Sequence, residues 1–303
     1  MSKTRIGPDF IIGGAPKCAT STVFSWLNDH PAIAGASKKE TFFLMDVGHP
    51  QLPEWNIHNQ GLNGFTSFFQ SANGDQIRME GTTQYLYQKT PIEFGKNHPS
   101  CKFLFILRDP VKRIYSSFDY AKNNLASINN DVTFKDFVQA ALGIEKIDGV
   151  LGVNELLPFE LEYGLYSKYL KNWKKEIDES RVRVVIFEDL VANPLKYTKE
   201  LAMFLGVDPS FYDAYVFEKK NVSVTIKKQG LHRLAKKMRN IVPLNSVKSI
   251  IKNIYYKLQA TGKEHLREAI HPEDQAFLVS YYRDDVESLK QDFNLDVSKW
   301  SFD

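Results

Sequence analysis

Residues 13–22, Gly-Gly-Ala-Pro-Lys-Cys-Ala-Thr-Ser-Thr, constrain the fold of this 303-residue chain more than any other segment. They follow residues 9–12, whose apolar run predicts a short buried strand, and they lead into residues 20–28, whose apolar spacing is typical of a buried helix. A glycine-containing loop between a strand and a helix directs backbone amides and the helix N-terminus towards one point, which favours an anion. The segment therefore predicts an α/β fold with an anion-binding loop.

The remainder of the chain alternates between strand-like and helix-like patterns. Strands are predicted at residues 9–12, 33–36, 102–107 and 181–187. Helices are predicted at residues 20–28, 110–122, 133–142, 165–177, 194–205 and 272–290. This alternation indicates a central, mostly parallel sheet flanked by helices, with ligands at the carboxyl ends of the strands. Since no break in composition divides the chain, we expect a single P-loop-like domain over residues 1–303.

The loop carries its own candidate ligands for an anion. Lys17 supplies a positive charge, and Thr20, Ser21 and Thr22 supply hydroxyl donors. A Walker A motif places its lysine directly before the Ser or Thr that holds magnesium, whereas Lys17 lies three residues before Thr20. Magnesium and ATP are therefore not implied. The alternative interpretation is an ordinary tight turn capped by Thr20.

A second motif begins where the strand at 102–107 ends. Arg108 is followed by Asp109-Pro110, an N-cap residue and a proline suited to the first helical position. Ser116 lies seven positions beyond Asp109 and so returns to the same helix face. A guanidinium and a hydroxyl placed in this way form a phosphate clamp. The alternative is a surface pair of Arg108 with Asp109 beside a solvent-facing Ser116.

Charge and cysteine content limit the classes of protein. The net charge is only +3, yet the segment from Lys219 to Lys263 contains twelve Lys or Arg and no Asp or Glu. This basic segment is either a solvated face or a holder of an anionic ligand or surface. No nucleic-acid-binding module accompanies it, so we expect no nucleic-acid partner.

Two cysteines, Cys18 and Cys101, neither build a disulfide framework nor form a metal site, and we expect no metal. The apolar stretch at residues 10–12 is too short for a signal peptide or a membrane span. We therefore expect a cytoplasmic protein without an integral membrane segment. The oligomeric state stays open.

Taken together, the two motifs resemble the PAPS-dependent sulfotransferase family, where PAPS is 3′-phosphoadenosine 5′-phosphosulfate. Residues 16–21 resemble its 5′-phosphosulfate loop, and Arg108 with Ser116 resembles its 3′-phosphate site. Residues 80–85, 164–173, 185–190, 193–194 and 204–206 extend the resemblance over nearly the whole chain. The chain departs from the family at Ala19, where glycine is usual, and at residues 227–230, which only faintly match a C-terminal Lys-Gly-Arg segment.

The resemblance implies a sulfotransferase fold and PAPS as the co-substrate, with 3′-phosphoadenosine 5′-phosphate (PAP) as the product. The cofactor-binding residues that it implies are Pro16, Lys17, Cys18, Ala19, Thr20, Ser21, Thr22, Arg108, Ser116, Lys227, Lys228 and Gly230. The basic segment at about 219–263 would then be a lid or an acceptor-side element.

Residues 39–43, Lys-Glu-Thr-Phe-Phe, are similar to the segment in which the bacterial branch akin to the heparan sulfate enzymes keeps a catalytic glutamate. By resemblance, Glu40 inherits the role of the base that deprotonates the acceptor. Lys17 is the candidate cation at the oxygen that bridges sulfur and phosphorus. Glu40 as a mere surface partner of Lys38 or Lys39 is the alternative. The alternative bases, each expected to be exposed, are His30, His49, His58 and His98.

The acceptor implied is a hydroxyl, or alternatively an amine, of a soluble natural product such as an alkaloid or of a carbohydrate. Aromatic residues 42, 43, 55, 65, 68 and 69 either stack on a flat acceptor or belong to the core. Two other classes stay open. An ATP-dependent, kinase-like phosphotransferase requires magnesium and an acidic strand end. A non-catalytic protein would use residues 219–263 to bind anions or a membrane surface.

Overall fold

The computed structural model describes residues 6–125, 127–143, 157–218 and 269–302. A five-stranded sheet forms the centre of the fold. Its strands are β1 Phe10–Gly14, β2 Ile33–Gly35, β3 Ile77–Gly81, β4 Lys102–Leu107 and β5 Val182–Ile186. They lie in the order β2-β3-β1-β4-β5, and every neighbouring pair is parallel. The predicted α/β class with a parallel sheet is confirmed.

The middle strand of the sheet is β1, which pairs with β3 on one side and with β4 on the other. Phe10 lies opposite both Met79 of β3 and Lys102 of β4. The three strands are therefore parallel and aligned, and they end at the same edge of the sheet. The loops that follow them meet at this carboxyl edge, where open α/β sheets bind ligands.

Helices cover both faces of the sheet. Phe103 and Phe105 of β4 pack on Trp173, with ring centroids 4.8 Å apart in each case. Lys102, the residue before Phe103, donates from its ammonium to the carbonyl of Phe204. Because successive residues of a strand point to opposite faces, the helices that carry Trp173 and Phe204 lie on opposite sides of the sheet.

The helices are bounded as follows: α1 Thr20–Asn28, α2 Ile57–Gln60, α3 Thr90–Asn97, α4 Pro110–Asp119, α5 Phe134–Ala141, α6 Tyr166–Glu176, α7 Phe187–Ala192, α8 Pro194–Leu205 and α9 Pro272–Phe293. A π-helical turn at Tyr120–Asn124 follows α4. Segments of 3-10 helix lie at Leu62–Phe68, Tyr85–Tyr87, Leu157–Phe159, Glu162–Gly164, Glu179–Arg181 and Pro209–Tyr212.

The sequence patterns located four of the five strands and all six of the helices that they predicted. They missed β3, whose sequence Ile-Arg-Met-Glu-Gly interrupts an apolar run with Arg78 and Glu80. They also missed three helices, α2, α3 and α7; at α7 the predicted strand at 181–187 stops at Ile186 and the chain turns directly into a helix at Phe187. Strand β3 was missed because its charged residues hide a buried element from a pattern of hydrophobicity.

The chain divides into two compact units. The first comprises residues 1–113, 163–221 and 278–303 and contains the sheet. The second comprises residues 114–162 and 222–277, and its described part includes α5. In this second unit Phe134 packs on Phe118 and Tyr115, with ring centroids 5.6 and 5.0 Å away. A single domain over residues 1–303 stays a prediction.

The basic segment at 219–263, with the predicted ligands Lys227, Lys228 and Gly230, lies outside the described residues. Within the described ranges, no helix combines the length and the apolar character that crossing a membrane requires. The same ranges contain no group of three or more His, Cys, Asp or Glu side chains arranged to hold a metal ion.

Candidate active site

The loop between β1 and α1 adopts a backbone suited to exposing amide groups. Lys17 and Ala19 have positive φ angles of 67° and 60°, in the left-handed region that non-glycine residues rarely enter. Helix α1 begins at Thr20, and the N-cap residue Ala19 provides no side-chain hydrogen bond. Thr20 therefore lies within the helix rather than capping it, and the alternative of a turn capped by Thr20 is wrong. The Ala19 side chain does not cap α1, which is compatible with an anion at this end of the helix.

Gly14 brings this loop close to the segment that follows β3. A Cβ atom at this position would lie 2.9 Å from the Cβ of Leu86 and 3.2 Å from the carbonyl oxygen of Thr83. Glycine is needed here because real Cβ atoms essentially never come so close to other atoms. The anion loop and residues 83–86 are thus packed backbone against backbone.

Cys18 lies in the loop with its side chain buried in the protein. Its Sγ lies 3.4 Å from the carbonyl oxygen of Pro16. Burial raises the pKa of this thiol to about 12. It therefore stays protonated at physiological pH, and Cys18 can contribute its backbone, but not a thiolate, to a bound anion.

Arg108 joins the second motif to the first. It follows β4, and its Nη1 donates to the carbonyl oxygen of Lys17 at 3.3 Å. Its guanidinium lies 4.7 Å from the ring centroid of Phe187, the first residue of α7. The hydroxyl of Tyr166 donates to the carbonyl oxygen of Arg108 at 2.9 Å. The two segments that the sequence identified 91 positions apart therefore meet at the carboxyl edge of β1 and β4.

Asp109 is a structural carboxylate. Its Oδ1 accepts from the amides of Val111 and Lys112, which caps α4, and its Oδ2 accepts from the amide and the hydroxyl of Ser301. Asp109 is fully buried, and the ammonium of Lys112 lies 3.3 Å from Oδ2. The alternative of a surface pair with Arg108 beside a solvent-facing serine is wrong, because Asp109 and Ser116 are both buried. Ser116 lies in α4, within the second unit.

The backbone of Glu40 is bound to the end of β3, and its carboxylate pairs with the neighbouring Lys39. Its amide donates to the carbonyl oxygen of Gly81 at 2.7 Å, and its φ angle is 62°. Its Oε1 lies 3.2 Å from both the ammonium of Lys39 and the hydroxyl oxygen of Thr83, whose single proton is donated either to Glu40 or to Gln84 Oε1 at 3.0 Å. The side chain is 35% exposed. The ion pair with Lys39 is present as the alternative interpretation expected, and the hydroxyl of Thr83 also contacts the carboxylate.

Thr83 contacts both Glu40 and the anion loop. Its hydroxyl lies beside the Glu40 carboxylate, while its carbonyl oxygen packs on Gly14 of the anion loop. The structure therefore brings the anion loop, Arg108 and Glu40 to one edge of the sheet. The sequence motifs did not assign a contact to Thr83 or to Phe187.

A buried carboxyl group, that of Glu80, contacts Thr41, the residue that follows Glu40. Glu80 has no exposed surface, and its Oε1 accepts hydrogen bonds from Thr41 and Thr82. Burial raises the pKa of this carboxyl to about 7, against the lowering effect of those hydrogen bonds and of Lys39. The sequence contained Glu80 only as part of the family resemblance, since strand β3 itself was missed.

The four candidate histidines are not uniformly exposed. His30 is buried; its Nδ1 accepts from the amide of Ala32, and its Nε2 lies 3.1 Å from the carbonyl oxygen of Asp208. Half-buried His98 stacks on a phenylalanine ring 4.1 Å away, and burial lowers the pKa of His49. The expectation of exposed histidines is therefore wrong for His30, whose two nitrogens serve local structure.

The aromatic residues near this edge belong mainly to the core. Phe43, Phe65 and Phe69 are buried, and the rings of Phe43 and Phe65 lie 4.3 Å apart. Trp55 is 47% exposed, and its Nε1 donates to the carbonyl oxygen of Gly64. Of the aromatic residues considered for stacking on an acceptor, Trp55 is the most exposed.

A parallel sheet with a glycine-containing loop after its central strand β1 and an arginine after the neighbouring strand β4 defines a P-loop-like α/β fold. The family model of the sulfotransferase domain matches residues 7–283. The chain belongs to the sulfotransferase family.

The relatives found by sequence are sulfotransferases of carbohydrates by name. A bifunctional heparan sulfate N-deacetylase/N-sulfotransferase of Drosophila melanogaster is 24% identical, over 71% of this chain and 22% of that protein. Heparan sulfate glucosamine 3-O-sulfotransferase 5 of Homo sapiens is 26% identical, over 69% of this chain and 56% of that protein. The chain spans between about a fifth and just over half of these relatives. The predicted resemblance to the heparan sulfate type is confirmed.

Among solved structures, a sulfotransferase from Alicyclobacillus acidocaldarius aligns with a TM-score of 0.69 and 19% identity. The alignment covers 98% of this chain and 99% of that one. The predicted sulfotransferase fold is confirmed.

Proposed function

We propose that the chain transfers the sulfuryl group of PAPS to a hydroxyl group of a carbohydrate or of a small natural product and releases PAP. An amine acceptor is the alternative. The observation that carries the proposal is the hydrogen bond from Arg108 to the carbonyl oxygen of Lys17, because it joins the two segments predicted to bind anions at one sheet edge. Membership of the sulfotransferase family supports the type of reaction.

The residues of the donor side fit a nucleotide with two anionic ends. The left-handed backbone at Lys17 and Ala19 and the start of α1 suit the 5′-phosphosulfate, with hydroxyls from the first turn. Arg108 suits the 3′-phosphate, because a guanidinium can make a bidentate contact. The remaining 3′-side assignments, Ser116, Lys227, Lys228 and Gly230, stay predictions from the sequence.

In the proposed mechanism the acceptor oxygen attacks sulfur in line with the bond to the bridging oxygen. A new S–O bond forms, the bond between sulfur and the bridging oxygen breaks, and PAP leaves with the electron pair. Lys17 stabilises the negative charge that develops on the bridging oxygen. Glu40 accepts the proton of the attacking hydroxyl, and Thr83 and Lys39 hold its carboxylate in position.

The kinase-like alternative receives no support from the end of β4. Asp109 is the carboxylate that would have to meet a magnesium ion there, and both of its oxygens already accept hydrogen bonds inside the protein. A non-catalytic binding protein would give no role to Glu40, which is nevertheless fixed in a left-handed backbone. The cytoplasmic location, the bacterial origin and the absence of a metal stay predictions.

The donor site is tested by calorimetric titration of PAP without magnesium. We expect binding to the wild type and binding about 10- to 100-fold weaker to Lys17→Ala and Arg108→Ala, because each change removes a charge-assisted contact. Arg183→Ala is the matched control, since Arg183 packs on the ring of Phe204 as Arg108 packs on Phe187. Equal affinities of Arg108→Ala and Arg183→Ala would remove Arg108 from the site, and ATP binding that needs magnesium would reverse the proposal.

The acceptor is tested by incubating the enzyme and PAPS with two panels. One contains glucosamine-bearing and other oligosaccharides, and the other contains hydroxylated small molecules, including alkaloids. Mass spectrometry reports the gain of one SO3 group and its position on oxygen or nitrogen. The names of the relatives favour the oligosaccharide panel, whereas sulfation confined to the second panel would assign a small-molecule acceptor.

A further inference from the structure

The segment that carries Glu40 has no regular secondary structure, yet each of its five consecutive amides has a hydrogen-bond acceptor. The amide of Glu40 donates to the backbone at the end of β3. The next four donate to side chains: those of Thr41, Phe42, Phe43 and Leu44 donate to Glu80 Oε1, Thr82 Oγ1, Thr41 Oγ1 and the hydroxyl of Tyr85, respectively. Side chains therefore supply the hydrogen-bond acceptors that the backbone of a neighbouring strand would supply in a sheet.

These acceptors are joined to one another at Glu80. The Oε1 atom of Glu80 accepts from the hydroxyls of Thr41 and Thr82 at 2.8 and 2.6 Å. The hydroxyl of Tyr85 lies 3.3 Å from that of Thr41. Glu80, Thr41, Thr82 and Tyr85 are all buried. A single carboxylate thus orients the hydroxyls that hold the segment, because each hydroxyl that donates to Glu80 presents its lone pairs to an amide.

The segment needs this support because its backbone is unfavourable by itself. Glu40 and Phe42 have φ angles of 62° and 55°, and both are non-glycine residues in the left-handed region. Such conformations persist when the surrounding contacts fix them. Without the side-chain acceptors the segment would relax, and the carboxylate of Glu40 would leave its position beside Thr83.

We propose that Glu80 is a positioning residue for Glu40: with Thr41 and Thr82 it holds the left-handed turn that presents the Glu40 carboxylate to the acceptor. Neither Glu80 nor Thr82 touches the substrate in this arrangement; they act through the backbone of residues 40–44. The proposal rests on the proposed role of Glu40 as the base.

The sharpest test removes one hydroxyl without changing the volume of the side chain. Thr82→Val deletes both the bond to Glu80 and the acceptor of the Phe42 amide, whereas Thr82→Ser keeps the hydroxyl. Thr198→Val is the matched control, because Thr198 is a buried threonine on α8 whose hydroxyl has no hydrogen-bond partner among the described residues. Glu80→Gln provides a second variant that still offers an acceptor oxygen.

Three quantities are measured for each variant: amide hydrogen exchange of residues 40–44, affinity for PAP, and the rate of PAP release from PAPS with the acceptor or with water. For Thr82→Val we expect exchange about tenfold faster, from the loss of two hydrogen bonds, a turnover rate lowered by a similar factor, and unchanged PAP affinity. Thr82→Ser and Thr198→Val should match the wild type.

A double-mutant cycle distinguishes an effect of Thr82 on the position of Glu40 from a general loss of structure. If Thr82 acts only through Glu40, Thr82→Val lowers turnover in the wild type but adds no further loss to Glu40→Gln. Unchanged exchange in Thr82→Val, or faster exchange with unchanged turnover, would overturn the positioning role. An absence of PAP binding to the wild type would instead refute the donor site and leave the exchange result to be judged by itself.

Discussion

The anion loop at residues 13–19 and the base segment at residues 40–44 both force non-glycine residues into left-handed backbone, but they are stabilised in different ways. The anion loop is held by one backbone contact and one side chain: the Ala15 amide donates to the carbonyl of Ile106, and the Lys17 carbonyl accepts from the Arg108 guanidinium. The base segment is held by the side chains of Glu80, Thr82 and their neighbours. The base segment should therefore depend on several single hydroxyls, whereas in the anion loop the contacting side chain is that of Arg108.

The largest expected effect concerns the chemical step. Glu40→Gln should lower turnover by roughly 10²- to 10⁴-fold, the usual contribution of a general base, because the amide cannot accept the proton. Affinity for PAP should stay within the error of calorimetry. A parallel loss of PAP affinity would show that the base segment also shapes the donor side, and the division between the two regions would fail.

The second prediction uses Glu80, the buried carboxyl group of β3 that accepts hydrogen bonds from the base segment. Burial raises the pKa of Glu80 to about 7 from an ordinary value of 4.5. Between these values the native protein keeps a proton that the unfolded chain has lost, so this group's contribution to stability falls as pH rises from 4.5 to 7 and is constant above. The size is on the order of 3 kcal/mol. Denaturant unfolding at several pH values should show this slope in the wild type relative to Glu80→Gln, and parallel curves would contradict it.

The third prediction concerns the close packing of the anion loop. Gly14→Ala places a methyl group 2.9 Å from Leu86 and 3.2 Å from the carbonyl of Thr83. We expect the free energy of unfolding to fall by about 1–3 kcal/mol, as for overpacked sites, together with weaker PAP binding. Thermal unfolding and titration measure both. Normal stability with normal PAP affinity would mean that the loop yields more readily than its backbone contacts indicate.

The smallest expected effect tests the ring beneath Arg108. Phe187→Leu removes a cation–π contact at 4.7 Å, worth about 0.5–1 kcal/mol, so PAP affinity should fall by roughly two- to fivefold. Phe204→Leu, which removes the equivalent ring beneath Arg183, is the control. A loss in both variants would point to a general change in the sheet rather than to Arg108.

Much of the donor side could be predicted from sequence because its signals are contiguous. The strand, the loop and the helix of residues 10–28 follow one another, and the strand before Arg108 was bounded correctly at Lys102–Leu107. Local patterns of apolar residues and helix-start signals determine such elements. The resemblance to sulfotransferases rested on these same contiguous motifs.

The contacts of the base side could not be predicted, because they join residues that are distant in sequence. Thr41 meets Glu80 across 39 positions, and the Phe42 amide meets the Thr82 hydroxyl across 40. Strand β3 was hidden because its two charged residues suggest a surface, and only tertiary hydrogen bonds make the burial of Glu80 tolerable.

The sequence by itself thus determined the α/β class, the anion loop and the identity of the candidate cation and base. The tertiary structure decided which of these residues meet, that Asp109 serves as an internal cap, and that a buried carboxylate supports Glu40. The physical reason is that local backbone preferences are written within a few residues, whereas a buried polar group is stable only when its partners arrive from other strands.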